Sequence, residues 1–431
     1  MKAFESYILQ LETLALQAAE RPYNPQHSEK IIAALDGQPY KALRKLIPLI
    51  QLRKSGAFFT SKNLAHRLVE DIIGELGQGT IVFDPACGAG DLLTSCAQHL
   101  PTREDWDSTI NFWGKLLVGN DIYPEFIKAT KIRLALVAIS KGIQPPVSIT
   151  SFDNLFPGIR INNTLKLDAL PQSKYIVLNP PFTSMTVSPN CTWGTGKVTS
   201  AAVFLDKCIL SAEEGTEIIA VLPEVLRVGS QYLRWRRHIG RFSKTLSVKV
   251  VGQFDPYTDV DVFILHIKVS SDPGYADHSW WKSDSIIKLP KAKVGDQFDV
   301  RVGPVVPYRD PNKGRWHPYI HAQDLPRWGE VIIDSSITRR RYAGTVFKPP
   351  FVVIRRTSRP SDPYRAVGTI ISGTQEVAVE NHLLVLKPKS GTLMSCRELI
   401  KKLRSAQTNS WLNERIRCRH LTVPSVQEIP W

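Results

Sequence analysis

From about residue 3 to 52, apolar positions recur at helical spacing: Ile8, Leu11 and Leu14, then Ile31, Ile32 and Leu35, then Leu43, Leu46 and Ile47. This predicts a helical lead-in, bounded at residues 1–55. From Gly56 the pattern changes to short apolar runs of strand type separated by helical stretches. The runs are TIVFD, LLVGND, VSITSFD, YIVLNPP, EIIAVLP, LSVKVVGQF and DVFILHIKV. Strands alternating with helices predict βαβ units and a parallel sheet. Only DPYTDV separates the last two runs, so they predict an antiparallel hairpin at one sheet edge, giving seven strands with one reversed.

Past Val269 the texture shifts again. The stretch SSDPGYADHSWWKSD has the Ser, Asp, Pro and Gly content of a linker. Beyond it come short strand-like runs, turns such as VVPYRDPNKGRWHPY, and a closing helix from about Cys396 to Ile416. The expected organisation is therefore a helical segment, an α/β domain over 56–270 and an α+β domain over 271–431.

Composition agrees with more than one domain, since 431 residues exceed a single ordinary core. The 43% hydrophobic and 22% charged fractions are those of a globular protein. A net charge of +15 speaks of partners, nucleic acid before an anionic membrane surface. No apolar segment approaches the roughly 18 residues of a membrane span. The amino-terminal stretch carries Glu5 and Glu12 within its apolar pattern and lacks a cleavage site, so a cytoplasmic protein is expected. Six cysteines without a C-x-x-C pair argue against zinc and against a disulfide framework. His317 and His321 are spaced like a helical metal pair, but Pro318 lies between them, so a loop without metal is expected.

The candidate chemistry lies at strand ends. In VFDPACGAGDLL a strand, the acid Asp84 and a glycine turn precede a helix, and Gly88 and Gly90 let a backbone approach a nucleotide-like ligand. The next strand ends in Asp121, placed to hold ribose hydroxyls, and the third ends in Asp153, placed to accept from an adenine amine. The alternative for each acid alone is a helix cap. The fourth run ends in the elbow Asn179, Pro180, Pro181 and Phe182. Prolines stop a strand and fix its exit. The Asn179 side-chain oxygen and the Pro180 carbonyl are two acceptors for the hydrogens of a poorly nucleophilic aromatic amine, and Phe182 offers a face for stacking.

Together these motifs resemble the γ group of adenine-N6 DNA methyltransferases of restriction-modification systems. GAFFTSKNLAHRLVEDI is similar to the family's F-x-T-P element, DPACGAG to D-P-A-C-G-S-G and NPPF to its catalytic tetrapeptide. The likeness extends from about Gly56 to Val269. It implies a Rossmann-like seven-stranded methyltransferase sheet with one antiparallel edge strand and S-adenosylmethionine as cofactor, without metal. Cofactor contacts are implied for Thr60, Asp84, Ala86, Gly88, Gly90, Asp121, Ile122, Asp153, Asn154 and Asn179. Catalytic roles fall to Asn179, Pro180, Pro181 and Phe182, and Phe254 is implied on the far side of a flipped base; by itself Phe254 also reads as a core aromatic. The chain departs from the pattern at Ser61, where proline is usual, at Ala89 for serine, and at Phe182 for tyrosine.

Basic residues suggest where double-stranded DNA is held. Arg227, Arg234, Arg236, Arg237 and Arg241 lie in one helical stretch that is either a phosphate-contacting face or a solvated surface. Arg339 to Arg359 contains Arg339, Arg340, Arg355 and Arg356 interleaved with aromatics and no acid, which suits backbone neutralisation with base contact. The carboxyl-terminal domain is thus expected to recognise the target, with any endonuclease or other defence subunit encoded separately. Two other readings are a glutamine-amide protein methyltransferase, which shares N-P-P-Y, and a non-catalytic DNA-binding subunit retaining the fold.

Overall fold

Six of the seven strand-type runs, with one further strand, assemble into a seven-stranded sheet in a computed structural model of the chain, which describes residues 4–20, 25–36, 38–48, 60–255, 258–272, 280 and 292–431. Its first members are β1 (Val82–Asp84), β2 (Leu117–Asp121), β3 (Ile159–Ile161) and β4 (Tyr175–Leu178). A small ribbon, β5 (Ser184–Thr186) with β6 (Lys197–Thr199), follows β4 outside the sheet. The sheet is completed by β7 (Glu217–Pro223), β8 (Ser243–Asp255) and β9 (Thr258–Val269) in the order β3-β2-β1-β4-β7-β9-β8. β4 is buried along its whole length, as a central parallel strand covered on both faces must be.

The β8–β9 hairpin closes one edge as the short spacer implies, and the reversed strand β9 is its inner member, paired antiparallel with both β7 and β8. The third strand is not the VSITSFD run. Residues 147–151 form no strand; Pro145 and Pro146 precede them and Ile149 N–H turns back to the Pro146 carbonyl. β3 instead pairs Ile159 with Gly119 and Ile161 with Asp121.

The longer helices described in this unit are α1 (Glu5–Glu20), α2 (Pro25–Leu35), α3 (Gln38–Leu46), α4 (Lys62–Val69), α5 (Asp91–His99), α6 (Trp106–Leu116), α7 (Pro124–Ser140), α8 (Ser200–Ser211) and α9 (Leu233–Gly240). α7 is apolar nearly all round and buried, and α1 and α2 pack against it, so the amino-terminal helices share its core. Where proline was expected, Ser61 caps α4 by accepting from the Leu64 N–H. The unit comprises residues 1–227 and 231–282 among those described. The GAFF segment and most of the predicted linker lie outside the described residues.

The second unit comprises 228–230 and 283–431. Its strands are β10 (Phe298–Val302), β11 (Arg315–Ile320), β12 (Glu330–Ile332), β13 (Arg339–Tyr342), β14 (Phe351–Arg355), β15 (Gly368–Ser372), β16 (Ala378–Val379) and β17 (Leu383–Pro388). They form a five-stranded sheet, β10-β17-β14-β15-β12, and a three-stranded one, β13-β11-β16. The closing helix is two, α10 (Leu393–Leu403) and α11 (Ala406–Arg415), because Ser405 caps a new start, and α12 (Val423–Gln427) follows.

Candidate functional site

Strands β1, β2 and β4 deliver their carboxyl ends to one cavity of about 270 Å3, the position at which open α/β sheets hold ligands. Its walls include Thr60, Asp84, Ala86, Gly88, Asp91, Asp121, Ile122, Asn179 and Pro181.

After β1 the chain turns through Gly88 at φ 54° and Gly90 at φ 82°, and Gly90 lies so close to α7 that a Cβ there would sit 2.6 Å from Thr130 Cγ2. Asp84 accepts from the Ala86 N–H at 3.1 Å. Asp121 accepts from the N–H groups of Gly88 at 3.0 Å and Tyr123 at 2.9 Å, tying the glycine turn to the β2 end. Burial pushes the Asp84 carboxyl well above its ordinary range; the charges of Asp121 and Asp91 add to the rise, and the Ala86 N–H opposes it. Asp121 is raised too, by burial, against the pull of its backbone donors. A cavity with this concentration of carboxylates favours a ligand carrying positive charge and hydroxyl donors.

The elbow after β4 is braced from α8. Ser200 Oγ donates to the Pro181 carbonyl at 2.5 Å and to the Thr183 carbonyl at 3.1 Å, and its N–H donates to the latter at 2.7 Å. Asn179 Nδ2 donates to Thr60 Oγ1 at 2.9 Å. Pro180 is buried, and Phe182 meets the buried Phe254 edge-on, with ring centroids 5.8 Å apart at 74°.

Asp153 and Asn154 are exposed and neither lines the cavity. Asp153 is occupied locally by Ser151 Oγ at 3.0 Å. Because the third strand is β3, the residues following it, Asn162, Asn163, Thr164 and Leu165, form that wall instead. Thr164 is fixed there by donating to the Pro85 carbonyl at 2.6 Å and accepting from Asn120 at 3.3 Å. Sequence reasoning also missed Asp91 and Ser200; the acid directly after the glycine turn was the available signal for the first.

In the second unit, Arg339 and Arg341 of β13 are exposed and flank Trp316 of β11, itself 57% exposed. Arg340 points elsewhere, donating to the Asp310 carbonyl at 2.6 Å, and Arg355 donates to the Leu325 carbonyl at 2.5 Å. Arg356 is half-buried. In the first unit Arg227 and Arg236 are buried, Arg227 paired with Glu224 and Arg236 donating to the Leu226 carbonyl at 2.9 Å, while Arg234, Arg237 and Arg241 are exposed.

Residues 48–224 match the family model for N-6 DNA methylases. The matched stretch covers less than half of the chain. It contains β1 to β4, the glycine turn and the elbow. Among solved structures, the chain is similar to the Type IIL restriction-modification enzyme MmeI in complex with DNA (TM-score 0.55, 12% identity, 91% of this chain and 70% of MmeI). It is also similar to a protein described as the modification subunit of a type I restriction enzyme from Vibrio vulnificus YJ016 (TM-score 0.39, 18% identity), covering 58% of this chain. The chain spans about half, 51%, of that subunit's length. At 12% identity the likeness to MmeI is one of fold. No curated protein matches the sequence. Among the described residues no helix is long and apolar enough to cross a membrane.

Proposed function

We propose that this chain is a cytoplasmic modification methyltransferase that methylates the N6 amine of adenine in double-stranded DNA, the base being extruded from the helix into the methylase region. The observation that carries the reading is the meeting, in one cavity, of the Asn179–Pro181 elbow with Asp84, Asp121 and the glycine turn. The donor set fits S-adenosylmethionine. Asp121 suits its ribose hydroxyls, Asp84 suits its positive charge, and Gly88 presents no side chain. When bound, the cofactor supplies an electrophilic methyl group on a sulfonium.

The chain's own contribution is orientation. The Asn179 oxygen and Pro180 carbonyl accept the two amino hydrogens and favour the pyramidal nitrogen over the planar, delocalised one. Ser200 and the paired prolines hold these acceptors in place before substrate arrives. Phe182 supports the ring, with Phe254 steadying Phe182 from its edge.

The second unit is assigned to DNA recognition through the β11–β13 ribbon, a kind of element that a duplex major groove admits, which exposes Trp316 with the cationic Arg339 and Arg341.

Tritium transfer from labelled S-adenosylmethionine to mixed-sequence DNA tests the reaction. Asn179→Ala is expected to lower turnover by about 100-fold or more, the scale for removing one transition-state hydrogen-bond partner, while cofactor binding persists. Label appearing in protein and not in DNA would overturn the reading.

A further inference from the structure

A chain of hydrogen bonds, buried at Arg133 and Thr60 and half-buried at Asp91 and Asn179, runs from α7 to the elbow through residues far apart in sequence. Arg133, 1% exposed, donates from Nη1 to Asp91 Oδ1 at 2.8 Å and to the Ala89 carbonyl at 2.5 Å. The other oxygen of Asp91, Oδ2, accepts from the backbone N–H of Thr60 at 3.0 Å. Thr60, 4% exposed, in turn accepts from Asn179 Nδ2 at 2.9 Å. Each carboxylate oxygen of Asp91 thus has a separate task, one held by α7 and one holding the segment that leads into α4.

The direction of the last bond matters chemically. A primary amide has one donor end and one acceptor end, and only the acceptor end can receive a substrate amine's hydrogens. With Nδ2 directed to Thr60, Oδ1 is turned away from Thr60. A displaced Thr60 would leave the amide to sample other rotamers, and an acceptor misplaced by about 1 Å loses much of its catalytic value.

We propose that Arg133, Asp91 and Thr60 are a positioning relay, in which the ion pair fixes the Thr60 backbone and the Thr60 hydroxyl fixes the Asn179 amide. The proposal rests on Asn179 acting as acceptor in the function proposed above. It assigns catalytic weight to an ion pair that, without Thr60 and Asn179 at its end, would only join α7 to α5.

Four variants test it: Thr60→Val, which deletes the hydroxyl but keeps shape and backbone N–H; Thr60→Ser, which keeps it; Asp91→Asn; and the double Thr60→Val/Asp91→Asn. Single-turnover methyl transfer and cofactor Kd are measured on each, with thermal melts to verify folding. Thr60→Val and Asp91→Asn are each expected to slow transfer by about 10-fold at saturating cofactor, equivalent to about 1.4 kcal/mol of barrier, with any loss of cofactor affinity smaller than the loss of rate. Thr60→Ser should transfer faster than Thr60→Val, recovering most of its loss, and the double variant should be no slower than the slower single, because both act through one amide. A parent-like rate in Thr60→Val, a matching loss of cofactor affinity, or multiplicative losses in the double would each overturn the relay. Should Asp91→Asn not fold, the Val and Ser pair decides.

A second readout does not depend on activity. In protein labelled with 15N at asparagine, the Asn179 side-chain amide, identified by its loss in Asn179→Asp, should exchange slowly in the parent and Thr60→Ser and quickly in Thr60→Val. Equal exchange in all three sinks the relay even if DNA is methylated. The expected pattern in a parent that leaves DNA unmethylated upholds the relay and overturns the function instead.

Discussion

Asp84 carries a pH signature because its carboxyl is 1% exposed and raised well above its ordinary value. A raised group favours the protonated form in the fold. Its stabilising contribution is therefore complete below the ordinary carboxylate value, about 3.9, and is lost as pH rises through the folded value. At neutral pH, without ligand, burying this acid therefore works against folding. Asp84→Asn preserves the acceptor for Ala86, so it should melt a few degrees above the parent near pH 7 and level with it near pH 4, in the range where about 1 kcal/mol moves Tm by ~2–4 °C. A cationic cofactor reverses the preference. S-adenosylmethionine should stabilise the parent increasingly as pH rises, and the variant much less. Melting curves with and without cofactor across that range check both parts; a variant less stable than the parent at every pH would contradict them.

At the scale of elements, the site depends on how closely the glycine turn lies against α7. Gly90 and Gly79 have nearly the same backbone, φ 82° and 79°, but a Cβ at Gly79 meets nothing within 4 Å whereas one at Gly90 meets Thr130 at 2.6 Å. Gly79→Ala should then cost only its conformational strain, about 1 kcal/mol. Gly90→Ala should cost about 2–4 kcal/mol, strain plus overpacking. Thr130→Ser, which removes Cγ2, should restore part of the loss in the double variant. Urea unfolding of the three variants measures the difference, and equal costs at the two glycines would show that the turn yields freely.

The same turn was legible in the sequence, as were β1, β2, β4 and β7, because each is an apolar run that ends in a polar residue or proline at the sheet's carboxyl edge. β3 was not. Only Ile159 of its three residues is buried, so the pattern there is weaker than in the β-branched but unpaired residues 147–151. Asp153 was misplaced with it, and the Asn162–Leu165 wall went unseen. The pairing of Asp91 with Arg133 was equally hidden, since 42 residues separate them and only the packing of α5 on α7 brings them together.

Across the whole molecule the excess of +15 is a large field, yet much of the arginine that produces it is committed to internal bonds. Arg133, Arg227, Arg236 and Arg365 are buried. Arg365 donates to Ser358, Asn413 and the carbonyls of Ile416 and Cys418 within the second unit. The basic stretch from Arg339 to Arg359 divides in the same way: Arg340 and Arg355 brace loops, and Arg339 and Arg341 stand out beside Trp316. Arg339 is steadied by the Trp316 carbonyl at 3.3 Å and Arg341 by the Gly314 carbonyl at 3.0 Å, which leaves further guanidinium donors for a phosphate. Replacing both by Gln should therefore weaken DNA binding at all sequences and lower the slope of log K against log salt by about 2, at roughly 0.9 for each phosphate no longer neutralised. Trp316→Ala should weaken binding with little change in that slope, because stacking releases no counterions. Titrations of duplex DNA at several salt concentrations separate the two. An unchanged slope in the double arginine variant would move the DNA-binding surface off the ribbon, with exposed Arg234, Arg237 and Arg241 of the first unit next to be tested.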